Sequence, residues 1–77
     1  MSTRETAAAS SLSKGLDVLT FLAARERVTM REMVEQLEIP RPTMQRLIQT
    51  LSLYGLVLRE GRTYGVTNRF RRWGDRY

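Results

Sequence analysis

The tightest constraint on this chain is a four-residue link, "EIPR", between two helix-forming segments. Upstream of it, Thr29 and Glu32 stand at the spacing of a capping box, in which each satisfies a backbone N–H next to the other. Met33, Val34 and Leu37 follow as an apolar stripe, which predicts a short helix over 30–37. Pro40 helps to end it, because the residue before a proline is pushed toward extended geometry. Downstream, Pro42 has no N–H to lose and a preset φ, so it suits a first helical turn. Met44, Leu47, Ile48 and Leu51 then recur at i, i+3, i+4 and i+7. Gly55 reads as the left-handed residue just past the end, which gives a helix over 42–54. Two helices joined by so few residues must cross tightly, and that is the helix-turn-helix arrangement.

The flanking segments extend this pattern. In "SLSKGLDVLTFLAARE", Leu12, Leu16, Leu19 and Ala23 share a face that Val18, Phe21 and Leu22 widen. Ser11 or Ser13 can cap it, so a first helix is predicted at about 12–25. Gly15 inside that helix costs about 1 kcal/mol against alanine, which points to a close neighbour there. Residues 1–10, small and polar, read as a mobile arm whose alanines could also extend the helix. After Gly55, "LVLRE" and "YGVT" are β-rich runs joined by "GRT", the signature of a hairpin. Asn68 can cap a short terminal helix on which Phe70, Trp73 and Tyr77 form one stripe. The expected fold is mainly α with a small β-hairpin: a winged helix-turn-helix with a three-helix core plus wing. The domain spans 11–67, and 68–77 form a helical tail.

Composition removes most other function classes. A chain of 77 residues supports one small core. It has no cysteine and no histidine, which takes away disulfides, the commonest general base and the commonest transition-metal ligands. Its eight carboxylates are scattered among arginines, and there is no glycine-rich phosphate loop. An enzyme is therefore not expected, and neither is a cofactor or a metal. No apolar run approaches the ~20 residues of a membrane span, and the N-terminus lacks the apolar segment of a secretion signal. A cytoplasmic protein is expected. The net charge is +5, the pI is about 10.7, and twelve of the thirteen basic residues are arginine. Arginine presents a planar fork of donors that matches phosphate and guanine edges.

The free face of the third helix carries that chemistry. Arg46 and Gln49 lie nearly opposite the apolar stripe, flanked by Gln45 and Thr50. Arginine can bind guanine O6/N7 in a bidentate way, and glutamine can do the same for adenine N6/N7. Thr43 and Gln45 occupy the first turn, where backbone N–H groups offer a phosphate site. Arg59, Arg62, Thr63 and Tyr64 mark the wing, and arginines at a hairpin tip can enter a narrow minor groove. Glu60 beside them argues against a tip that only grips phosphate. Thr29 is already explained by its capping box. Met30, Met33 and Met44 read as core filler.

With these residues in place, the chain resembles the IclR-type bacterial transcription regulators. "SLSKGLDVLTFLA" is similar to their first helix, and "TMREMVEQLEIPRPTMQRLIQTLSLYGLV" to their second and third; the likeness covers about residues 11–74. It implies a dimeric DNA-binding module that regulates transcription at partly palindromic operators. The third helix, with Arg41, Pro42, Thr43, Gln45, Arg46, Gln49 and Thr50, would enter the major groove. The wing, with Arg59, Arg62 and Tyr64, would touch the backbone or minor groove. The tail would begin a linker helix toward a separate effector-binding domain. That domain is absent from this chain, so a piece of a longer regulator is expected rather than a small stand-alone repressor.

The chain departs from the family pattern at several points. Arg41-Pro42 stands where the family often has Lys/Arg-Ser, Glu38 where it favours glycine, and Leu53 where it is usually polar. A rival reading follows from the apolar departures. The winged helix could be a protein-interaction or dimerisation module without DNA binding, using Leu53, Phe70, Trp73 and Tyr77.

Overall fold

The computed structural model describes the backbone of residues 3–75 and the side chains of residues 10–72. The elements run α1 (Thr3–Ala23), β1 (Val28–Thr29), α2 (Met30–Leu37), α3 (Arg41–Leu53), β2 (Val57–Glu60), β3 (Thr63–Val66) and α4 (Asn68–Asp75). The three strands form an antiparallel sheet in the order β1-β3-β2. This is the winged helix expected from the sequence, with one added strand.

The second and third helices form as their caps dictate. Thr29 Oγ1 accepts from the N–H of Glu32 at 3.2 Å, and the Glu32 carboxylate accepts from the N–H of Thr29 at 3.4 Å, which completes the capping box. At the far end of α3, the N–H of Leu56 donates to Leu51 O and that of Gly55 to Ser52 O. Gly55 has φ +73°. Together these make a Schellman motif, which needs a left-handed residue at that place. Between the two helices, Glu38 takes φ +55°. The family's preference for glycine there is thereby explained, since a Cβ in this conformation crowds the following carbonyl.

One core joins the layers. Val18, Leu19 and Leu22 of α1, Val28, Met33, Ile39, Met44, Ile48 and Val57 are all buried. Leu47, Leu51, Leu56, Tyr64, Val66 and Phe70 pack partly against them. The stripe of α3 therefore faces inward as its spacing requires, and Met33 and Met44 are core residues.

Several expectations need correction. The first helix starts at Thr3 and so takes in most of the segment expected as an arm; Ala7, Ala8 and Ala9 are strong helix formers. Its inward face is centred on Val18 and Leu22, while Leu12 is 65% and Leu16 50% exposed. Amphipathic spacing continues along the helix beyond the point where the rest of the domain covers it. The helix stops at Ala23 rather than residue 25, and Arg25 Nη1 donates back to Phe21 O at 3.1 Å. No neighbour crowds Gly15: a Cβ built there meets nothing within 4 Å. The cap of α4 is Thr67, whose Oγ1 accepts from the N–H of Phe70 at 3.3 Å and donates to Gly55 O at 2.6 Å. Asn68 is the first helical residue instead.

Candidate nucleic-acid interface

The positions of α3 residues follow from 100° of rotation per residue about the helix axis. With Met44 and Ile48 buried, Arg41, Gln45, Gln49 and Ser52 fall on one flank. Pro42, Arg46 and Leu53 run along the outer crest, and Thr43 and Thr50 fall on the other flank. Thr43 is half-buried, and the remaining candidates on the helix are exposed. The wing rises beside the first flank. The two together enclose an open concavity, floored by Ile48 and lined further by Arg31, Leu53, Arg59, Arg62 and Tyr64. The structure thus brings Arg41, Gln45 and Gln49 together with Arg59, Arg62 and Tyr64. It leaves Pro42, Thr43, Arg46 and Thr50 outside that lining.

The wing is built to hold its arginines on this side. Its strands pair Arg59 with Tyr64 and Glu60 with Thr63, so the loop is the two residues Gly61 and Arg62. Gly61 has φ +63°, which suits the first position of a type II′ turn. Arg59 Nε donates to Gly61 O at 2.8 Å and its guanidinium lies 5.9 Å from the Tyr64 ring centroid. Successive residues of a strand point to opposite faces. Glu60 accordingly leaves the concavity to Arg59 and forms an ion pair with Arg27 on the far side. The acidic residue that argued against a phosphate-gripping tip faces away from the cationic side.

Two features escaped the sequence reading. Strand β1 pairs Val28 with Tyr64 and Thr29 with Thr63, which ties the root of the wing to the start of α2. A two-residue strand has no periodicity to detect. Arg31 follows directly, lines the concavity, and pairs with Glu35 one turn on at 3.1 Å. Its place in the first turn of the first motif helix, which crosses the DNA backbone in such motifs, was the available signal.

The charge balance of this surface is one-sided. Arg31, Arg41, Arg59 and Arg62 line it, and no carboxylate does. The N-terminus of α3 has no side-chain cap and no acidic residue in its first turn. Among the described residues there is no cluster of potential metal ligands, and no helix is long and apolar enough to cross a membrane.

Phe70 is half-buried against the domain's own core, which leaves only part of its ring to a partner. The Trp73 side chain and Tyr77 lie outside the described residues. Leu53 is 81% exposed and belongs to the concavity.

A three-helix core with a helix-turn-helix and a wing, presenting a cationic concave face, defines a winged helix-turn-helix DNA-binding domain. The family model for the IclR helix-turn-helix domain matches residues 11–61, and the chain belongs to that family. The match ends at the wing turn, so β3 and α4 lie beyond it. No curated protein matches the chain. Family membership makes this a domain of DNA binding and transcription regulation, in a class that is regulatory rather than catalytic.

Proposed function

We propose that the chain is the sequence-specific double-stranded DNA-binding domain of an IclR-like transcription regulator, and not an enzyme. Helix α3 enters the major groove, where Gln45, Arg46 and Gln49 meet base edges. Arg41 and the backbone at Thr43 grip phosphate at the uncapped helix start. Arg59 and Arg62 follow the backbone or enter the minor groove. Two copies bind a partly palindromic operator in the cytoplasm, with half-sites about one helical turn apart.

The observation that carries this reading is the convergence of four arginines and two glutamines on one concave face that has no carboxylate lining. Phosphate neutralisation supplies most of the affinity and makes it salt-dependent. The rival reading as a protein-docking module has less support, because Phe70 is half-buried against its own domain's core.

The test is an NMR titration of the labelled chain with a mixed-sequence duplex at low salt. Non-specific affinity of roughly 10⁻⁴–10⁻⁶ M is expected, with shifts on residues 41–50 and 59–64 that fade as salt is added. Shifts confined to the tail, or none at all, would refute the reading.

A further inference from the structure

From the position of Leu53 we infer that it is a base-reading residue, contacting the C5-methyl group of a thymine in the bound site. The inference rests on the DNA-binding reading above. Leu53 is the most exposed large apolar residue described. It sits on the last turn of α3, one turn beyond Gln49, within the concavity that Gln49, Ser52, Arg59 and Arg62 also line. Gln49, Ser52, Arg59 and Arg62 line the concavity with it, interleaved with the hydrocarbon of Met30, Ile48 and Tyr64.

Within the DNA-binding reading, that setting turns Leu53 toward the duplex, beside side chains that can bind base edges. The other exposed apolar side chains lie elsewhere. Leu58 faces the opposite side of the wing, beside Glu26, Arg27 and Glu60. Tyr54 is about 100° further round the helix. Leu12 and Leu16 are on α1. In the major groove, thymine alone among the four bases presents a methyl group, and an apolar side chain is its complement. A leucine set among glutamine and arginine suits a face that must read hydrogen-bonding edges and one methyl together.

The experiment begins with selection of binding sites from a random duplex library by the 77-residue chain. Each thymine of the selected site is then replaced in turn by deoxyuridine, which removes only the C5-methyl. Affinities are measured by fluorescence anisotropy for the unaltered chain and for Leu53→Ala. One replacement should weaken the unaltered chain about fourfold, the worth of one buried methyl group. The same replacement should leave Leu53→Ala unchanged, and Gln49→Ala should relax selectivity at a different base pair. Uracil scans that are silent with the unaltered chain, or equally harmful to Leu53→Ala, overturn the inference while leaving DNA binding intact. If no duplex is selected at all, the DNA-binding reading fails and takes this inference with it.

Discussion

Replacing Glu38 by glycine should stabilise the domain, and the magnitude follows from one dihedral angle. Glu38 closes α2 with φ +55° and ψ +37°, in the left-handed region. For an L-residue that conformation costs roughly 1–2 kcal/mol, because Cβ crowds the carbonyl that follows. Glycine avoids the clash but loses about 0.5–1 kcal/mol more in backbone entropy on folding. The difference leaves a gain of about 0.5–1 kcal/mol. Nothing offsets it in lost contacts, since the exposed Glu38 side chain takes part in neither ion pair found among the described residues. In a domain of this size such a gain raises Tm by about 2–8 °C. Circular dichroism melts of the unaltered chain, Glu38→Gly and Glu38→Ala would measure it. The alanine variant keeps Cβ and should melt close to the unaltered chain. Equal gains for both variants, or a loss with glycine, would refute the argument from strain, because the effect would then lie in the glutamate side chain.

The other predictions concern two glycines and two arginines. Gly15→Ala should add about 1 kcal/mol in a thermal melt, since helix propensity improves and no atom lies within 4 Å of the new Cβ; no change would mean that the first half of α1 contributes little to folding. Gly65→Ala should cost about 1–3 kcal/mol by overpacking, because a Cβ there would stand 2.9 Å from Glu26 O; an unchanged Tm would show that the loop before β1 yields freely. Arg62→Ala should weaken selected and random duplexes alike and lower the salt slope by about 1; a loss confined to the selected site would move Arg62 from phosphate to base reading. Arg46→Ala should cost about 1–3 kcal/mol on the selected site; an unchanged affinity in a salt-controlled titration would remove Arg46 from base reading and leave the glutamines of the inner flank.

The parts of this domain written in local chemistry were legible in the sequence. Thr29 with Glu32 marked the start of α2, and Gly55 marked the end of α3, because caps involve residues three to five apart. The apolar spacing of Met44, Leu47, Ile48 and Leu51 fixed which side of α3 turns inward, and so which side is free. What depended on distant parts of the chain was not legible. Leu12 and Leu16 have the spacing of core residues, but burial requires something opposite them, and periodicity does not say where the domain ends. Alternation puts Arg59 and Glu60 on opposite faces of the strand, but only strand pairing decides that Glu60 meets Arg27 and Arg59 faces α3. Leu53 shares only its apolar character with the aromatic tail, and the concavity that it lines beside the wing arises from the fold. Arg31 has an ordinary helical partner in Glu35, and only the fold sets it beside the wing arginines.

The short pairing of Val28 and Thr29 with β3 has a mechanical consequence. The wing is stitched to the residue that caps α2, and α2 packs on α3. The tip arginines and the reading helix therefore behave as the two arms of a caliper with a nearly fixed gap. A bound duplex has to fit that gap, and a stiff sequence of the wrong groove width must deform or be rejected. Some of the selectivity of this domain would then be carried by base pairs that no side chain touches.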